Sequence, residues 1–321
     1  VNSHTTHWDV VGLGSCTLDV LTLVDHLPER EEVQQAAAIS MQGGGPVATA
    51  LVTLARLGAR TAILDALGDD PQSLRIRHEL QVEGVDTAYL LTRPGCTATT
   101  ACILVDRGDA SRTILYTPGS APEPQPAEIP PEVIRSARFV HLNGRHWDAC
   151  LHIARLAHQM HVPVSMDGGA GRYRPEVEKL VALADVCIVA HDFAVHSTGQ
   201  HDPQLAASLL LQRGPSLVAV TAGRQGSWVV SRSGERFHQP AFLLPDTVDT
   251  TGCGDSYHGA FLYGLLQDWP LHQVAVFASA VAALNSRTLG GRAGLPHLSD
   301  VMAFLALTPQ SVLDRVQFWH V

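Results

Sequence analysis

Near the C-terminal end of the 321-residue chain, Asp249-Thr250-Thr251-Gly252-Cys253-Gly254-Asp255 sets two glycines and a carboxylate directly before an apolar helical pattern, Tyr257, Ala260, Phe261, Gly264 and Leu265. A helix start exposes unpaired backbone N–H groups and the positive end of the dipole, and both suit an anion. Glycines let that backbone close on a phosphate without a Cβ in the way. An aspartate beside a bound anion is repelled at rest, so its presence there asks for a chemical purpose. The purpose it can serve is that of a base, taking a proton from an attacking hydroxyl while the amides of Gly252, Cys253 and Gly254 hold a transferred phosphoryl group. The plainer alternative is an acid that only complements the dipole in a first helical turn; the preceding D-T-T counts against it.

A second glycine cluster lies far upstream, Gly43-Gly44-Gly45-Pro46-Val47-Ala48-Thr49-Ala50, followed by Leu54-Ala55-Arg56-Leu57-Gly58-Ala59. In this order the two segments resemble the N-terminal and C-terminal motifs of the ribokinase-like, or PfkB, carbohydrate kinases, and the resemblance runs from roughly Val10 to Leu307. It implies a three-layer α/β/α domain over residues 10–310, with a mainly parallel sheet and a small β-lid drawn from segments 18–40 and 86–116. It also implies ATP-dependent phosphorylation of a primary hydroxyl on a sugar or sugar derivative, with Asp255 as general base and Gly252–Gly254 as anion hole. Asp19, after the first strand, falls at the family's substrate-binding aspartate, and Gly43, Gly44 and Gly45 at its sugar-contacting loop. Thr221-Ala222-Gly223-Arg224-Gln225-Gly226 resembles the T-x-G-x-x-G nucleotide loop, which brings Thr221, Gly223 and Gly226 towards phosphates. Magnesium is expected with the ATP. A monovalent cation such as K+ beside the anion loop would draw oxygens from Asp249 and Thr251. Exposed strand edges of such a lid call for a cover, and a two-fold homodimer through the lid is expected on that ground.

The chain also departs from the family's pattern. Gly45 and Ala48 stand where ribokinase has a lysine and an asparagine in its glycine motif, so its ribose contacts are missing. Ala190-His191-Asp192-Phe193 replaces the N-x-x-E motif that supports magnesium in many members. Gly43–Pro46, Arg145-His146-Trp147-Asp148 and Gly290-Gly291-Arg292-Ala293-Gly294-Leu295-Pro296 together look more like the sulfofructose kinase branch, although Val33 stands where that branch has a lid lysine. Arg145 is then the expected specificity contact, because a planar guanidinium pairs bidentately with sulfonate or phosphate. The acceptor stays open among ketohexoses, sulfosugars and phosphosugars. A nucleoside kinase of the same superfamily and a non-catalytic sugar or nucleotide sensor remain as alternatives.

Composition narrows the field. With 45% hydrophobic residues, a chain of this length can bury one large core. It has no apolar run of the roughly 18 residues that a membrane span needs. The net charge of −9, with no Lys/Arg run, argues against nucleic acid. Lys179 is the single lysine and no glycine precedes it, which excludes a G-x-x-x-x-G-K-[ST] phosphate loop. Six cysteines without C-x-x-C spacing point to reduced thiols and a cytoplasmic protein. Cys253 is expected to be a small packing residue in the loop, even though a helix start can lower a thiol pKa. Of the 17 histidines, His146, His152, His158 and His161 cluster around one helix without metal-ligand spacing, and are expected at the surface or partly buried.

The elements that must position these residues alternate in type. Short apolar strands are expected at 10–13, 61–67, 139–142, 162–166, 186–189 and 217–221. Helices are expected at 46–57, 71–82, 147–159, 175–183 and 203–211, several opened by Pro and closed by Gly. Such repeats imply a parallel sheet covered on both faces. The β-type runs 99–105 and 112–116 flank Asp106-Arg107-Gly108-Asp109, which reads as a hairpin turn. Segment 117–131 is a Pro-rich return to the main domain, and residues 1–9 read as a disordered lead-in.

Overall fold

Val-, Ile- and Ala-rich strands, largely buried on both faces, form the middle of an eleven-stranded sheet in the computed structural model, which describes residues 8–319. From one edge the order is Gln317–Phe318, Arg236–Gln239, Ser227–Ser231, Leu217–Thr221, Val186–Ala190, Val164–Gly168, Ala137–Leu142, Trp8–Leu13, Thr61–Leu67 and Val85–Asp86. Leu90–Thr92 pairs with the far end of Thr61–Leu67. All pairings between Val85–Asp86 and Leu217–Thr221 are parallel, and the strands beyond Leu217–Thr221 run antiparallel. Both faces are covered. Helices Pro46–Arg56, Cys253–Leu266 and Leu271–Asn285 pack one apolar core, and Trp147–Gln159 and Pro203–Leu211 pack the other. Among the described residues, no helix is long and apolar enough to cross a membrane, and all six cysteines are free.

The helices expected at 71–82, 147–159 and 203–211 form with those bounds, and Pro46–Arg56 ends one residue short. The expected helix 175–183 is instead a 3-10 turn, Pro175–Val177, leading into the short helix Glu178–Val181. A further helix, His191–Thr198, fills the stretch that lacks N-x-x-E and stops at Gly199, whose φ of 73° ends it in the left-handed region. The lead-in needs correcting as well. Residues 1–7 lie outside the described residues, but Trp8 and Asp9 belong to the first strand, where Trp8 N donates to Ser136 O.

A separate four-stranded sheet has the order Ala38–Gly44, Thr17–Val24, Thr99–Asp106, Arg112–Thr117. The lid boundaries therefore shift. Val85–Asp86 and Leu90–Thr92 belong to the main sheet, because buried Val85 and Leu90 return the chain parallel to Thr61–Leu67 after helix Pro71–Val82. The small sheet takes in Gly43 and Gly44 at one end and Thr117 at another. The expected hairpin forms, closed by Asp106 N donating to Ser111 O, with Ala110 at φ 58°. One face buries Leu21, Ala101, Ile103 and Val105, while Ile39, Met41, Ile114, Leu115 and Tyr116 are exposed.

Register decides which side chains meet at the carboxyl ends of the strands, where open α/β sheets bind ligands. Leu64, Leu13, Leu142 and Met166 form one row across four parallel strands. The next residues, Asp65, Gly14, Asn143 and Asp167, therefore share the following row. Side chains alternate along a strand, which sends this second row to the face of helices Pro46–Arg56 and Cys253–Leu266, the face that Ile63 also packs against. A polar stripe thus crosses the rim of the sheet beneath those helices.

Candidate active site

The anion loop is built by its own buried acid. Asp249 is 0% exposed; its Oδ1 accepts from Thr251 N at 2.8 Å and its Oδ2 from Gly290 N at 2.8 Å. Gly252 caps helix Cys253–Leu266 at φ 71°, and a Cβ there would strike the backbone of Gly291. Only glycine meets both demands. Gly254 is exposed, with open space where a side chain would be, while the Cys253 amide donates to Thr250 O at 3.3 Å. The Cys253 thiol does not gain acidity from the helix start: burial, helped by the Asp249 carboxylate, pushes it up to about 12, and its Sγ lies 3.4 Å from Ala282 O. It is a packing group.

Asp255, in the first turn, has its proton affinity raised by burial and by the Asp167 carboxylate, with Arg172, His258 and Arg112 opposing. Below it lies a buried network. His258 Nε2 is 3.3 Å from Asp167 Oδ1, and Arg172 Nη1 is 3.6 Å from Asp167 Oδ2. Burial holds His258 down at about 4 and His141 at about 3, so both rings are neutral at physiological pH. Arg112 reaches in from the small sheet. Its Nη1 donates to Thr250 Oγ1 at 3.2 Å, and Thr250 Oγ1 donates to Ala110 O at 3.2 Å. The hairpin thereby latches onto the anion loop.

Across from this loop, Asp19 lies buried on Thr17–Val24, its Oδ1 accepting from Thr17 Oγ1 at 2.7 Å. Burial raises its proton affinity; Thr17 and Arg292 oppose, and the Asp255 carboxylate adds to the rise. Asp19 and Asp255 therefore lie within electrostatic reach of each other. The glycine loop is as close to Asp19 as glycine allows, since a Cβ on Gly44 would run into the Asp19 carboxylate. Gly45, at φ 92°, passes against Ser15 O in the same way. Gly43 N donates to Glu79 Oε2 at 2.5 Å, and buried Arg292 donates from Nη2 to Gly44 O at 2.6 Å and from Nε to Thr49 Oγ1 at 3.1 Å.

The third wall follows strand Ala137–Leu142. Asn143 Oδ1 accepts from Arg145 N at 3.2 Å, and Asn143 Nδ2 is buried with no partner. The Arg145 side chain is exposed at the rim. His146 differs from its expectation as a surface or partly buried residue: it is 9% exposed, its backbone left-handed at φ 52°, and its Nε2 lies 2.8 Å from Asp65 Oδ1. On the nucleotide side, Thr221 ends its strand and Gly223–Gln225 forms a 3-10 turn. Gly226, at φ 95°, leaves no room for a Cβ against Gln239 O. Phe193, at the place of the N-x-x-E acid, is fully buried, and Asp192 Oδ2 accepts from Gly171 N at 2.8 Å. Among the described residues, no three His, Cys, Asp or Glu side chains are grouped to hold a metal ion.

Sequence reasoning singled out the two glycine loops, Asp19 and Asp255, but missed Arg112, Asn143, Asp65, His146 as a buried group, and Arg292 as the loop's support. A parallel α/β sheet, a small detached sheet across one rim, and a helix-start anion loop with an acid in its first turn define a phosphotransferase of the ribokinase-like class. The chain belongs to the pfkB family of carbohydrate kinases, whose sequence model matches residues 8–298. It is similar to the ATP-dependent ribose-1-phosphate kinase of Halopiger xanaduensis, 30% identical over 298 residues that span 92% of this chain and 98% of that one. It is also similar to the nucleoside kinase of Methanothermobacter thermautotrophicus, 25% identical with 92% and 94% covered. Arabidopsis thaliana ribokinase complexed with ribose and ATP shares the fold at a TM-score of 0.80 and 23% identity, covering 94% of this chain and 99% of that one. The chain is an ATP-dependent kinase of this family, acting on a sugar or a nucleoside.

Proposed function

We propose that the protein transfers the γ-phosphoryl group of ATP to a primary hydroxyl of a sugar or sugar phosphate, with Asp255 as general base. The observation that carries this reading is Asp255 in the first turn of a helix opened by the Gly252–Gly254 loop, within electrostatic reach of a buried Asp19 on a glycine-lined wall. Asp19 and the Gly43–Gly45 backbone orient the acceptor, and Arg145 meets its far end. The hydroxyl loses its proton to Asp255, its oxygen bonds to the γ-phosphorus, and the bond from that phosphorus to the bridging oxygen of ADP breaks. Charge on the transferred group is met by the loop amides and by Arg112, which suits a reaction dominated by positioning and electrostatics. Thr221, Gly223 and Gly226 line the side taken by the nucleotide. Magnesium accompanies ATP and is held largely by phosphates and water, since the N-x-x-E acid is replaced by buried Phe193.

The loop also suits a monovalent cation. Thr251 Oγ1 and Asn285 Oδ1 are buried beside it without partners, and with Asp249 they form an all-oxygen set of the kind K+ takes. Such an ion would stiffen the loop. Six free cysteines fit a cytoplasmic setting. A sugar phosphate is favoured as acceptor by the likeness to the Halopiger kinase and by the free Arg145 guanidinium at the rim. Sulfosugars share that chemistry, and the Gly43–Pro46, Arg145–Asp148 and Gly290–Pro296 segments support them. Nucleosides are the second reading, on the likeness to the Methanothermobacter kinase. An ADP-release assay across ribose 1-phosphate, ketohexoses, sulfofructose and nucleosides separates these. ADP release with none of them, despite ATP binding, would favour a sensor and sink the kinase reading.

A further inference from the structure

We propose that His146 reads the acceptor, its Nδ1–H docking an anionic group of the sugar in the place now faced by the Glu123 carboxylate. This rests on the reading above that the acceptor lies between Asp19 and the loop after strand Ala137–Leu142. His146 has the marks of a residue held for use. It takes a left-handed φ of 52° that a bulky side chain rarely adopts, and its ring is buried at the rim of the sheet. Asp65, 2% exposed in the same sheet row as Gly14 and Asn143, fixes that ring. Its Oδ1 takes His146 Nε2 at 2.8 Å, and its Oδ2 accepts from Cys16 N at 2.6 Å. Ser15 Oγ stands 3.5 Å from the same ring nitrogen, and Ser15 O packs against Gly45. One buried pair thus joins the three segments that wall the acceptor side.

The other ring nitrogen is unspent. His146 Nδ1 is buried with no hydrogen-bond partner, and the nearest anion, Glu123 Oε1, stops at 3.6 Å. Glu123 is mostly exposed, on the Pro-rich return segment, so it is free to swing away when a better anion arrives. Asn143 Nδ2, a second buried nitrogen without a partner, sits one residue past strand Ala137–Leu142. An unpartnered buried polar group is costly, and a site that keeps two of them, His146 Nδ1 and Asn143 Nδ2, is built to be completed by a ligand.

The charged groups facing His146 are Asp65 from strand Thr61–Leu67 and Glu123 from the return segment; its own loop carries Arg145, exposed, and Arg174 is tied to Gly144 O. Burial disfavours the charged ring, but Asp65 and Glu123 outweigh it, so its proton affinity is raised above the usual histidine value. The shift favours the imidazolium, which is lost as pH rises, so binding of an anionic acceptor weakens on the alkaline side.

The test is calorimetric binding of ribose 1-phosphate, with ribose as the uncharged control, to the full chain and to the H146Q and E123Q variants. H146Q is expected to weaken ribose 1-phosphate by about tenfold or more while leaving ribose within about twofold. E123Q, a change at an exposed site, is expected to tighten ribose 1-phosphate by about threefold when measured about one pH unit below the ordinary histidine pKa, where the ring keeps its proton without Glu123 and only the competing carboxylate is gone. Ribose 1-phosphate binding no tighter than ribose, or weakened by E123Q, would overturn the proposal. Binding is read without turnover, so a failure here is separable from a failure of the kinase reading, which D255N tests on its own.

Discussion

Replacing Asp249 tests whether the anion loop is held by a buried carboxylate. Both Asp249 oxygens accept backbone N–H groups, from Thr251 and Gly290, at full burial. Asp249→Ala leaves two buried donors unpaired at about 1–3 kcal/mol each, or about 2–6 kcal/mol in total. Asp249→Asn keeps one acceptor oxygen but turns an NH2 towards the other N–H, so its loss should be about half as large. The assay is urea unfolding of the two variants beside wild type, with ADP release followed in parallel. Turnover should fall with stability, because the amides of Gly252–Gly254 follow directly on Thr251. An Asn variant as stable as wild type would show that these bonds do not hold the loop.

Three further outcomes are expected. Arg145→Ala should raise KM for the true acceptor by about tenfold, or about 1.4 kcal/mol, and leave KM for ATP unchanged; an unmoved acceptor KM would remove Arg145 from the site. Cys253→Ala should keep most of kcat, and thiol reagents should react slowly with wild type at neutral pH because burial holds that thiol up at about 12; a loss of about a hundredfold in the alanine variant would mean the loop needs the sulfur. Light scattering at micromolar concentration should show a dimer, since the small sheet leaves Ile39, Met41, Ile114, Leu115 and Tyr116 exposed between unpaired edges; a monomer would refute pairing through that sheet.

The legible parts of the molecule were those encoded locally. Pro46 opening a helix and Gly58 following it, or two glycines and an acid before Tyr257, carry their structural meaning within a few residues. Asp19 and Asp255 were legible one at a time, but their proximity is made by the fold. Asp65, Asn143 and Asp167 share a row only because four parallel strands pair in register, which no local pattern encodes. Arg112 looks like any polar hairpin residue until the small sheet carries it to Thr250. Arg292 reads as part of a glycine-rich loop, yet burial beneath Gly44 gives it its place. Val85–Asp86 and Leu90–Thr92 were given to the lid because very short strands carry too little pattern to show which sheet they join.

The most direct measurement is kcat of Asp255→Asn on the acceptor that the ADP-release assay identifies. The amide keeps shape but cannot take the hydroxyl proton, so kcat should fall by about a hundredfold or more. Affinity for ATP should hold or improve slightly, because a negative charge near the γ-phosphate is gone. Stability should not drop: burial and Asp167 raise this carboxyl's pKa in the folded state, so ionising it above its unfolded value opposes folding, and the amide removes that opposition at neutral pH. A variant that keeps near wild-type turnover would contradict Asp255 as the base, however well the fold matches the family.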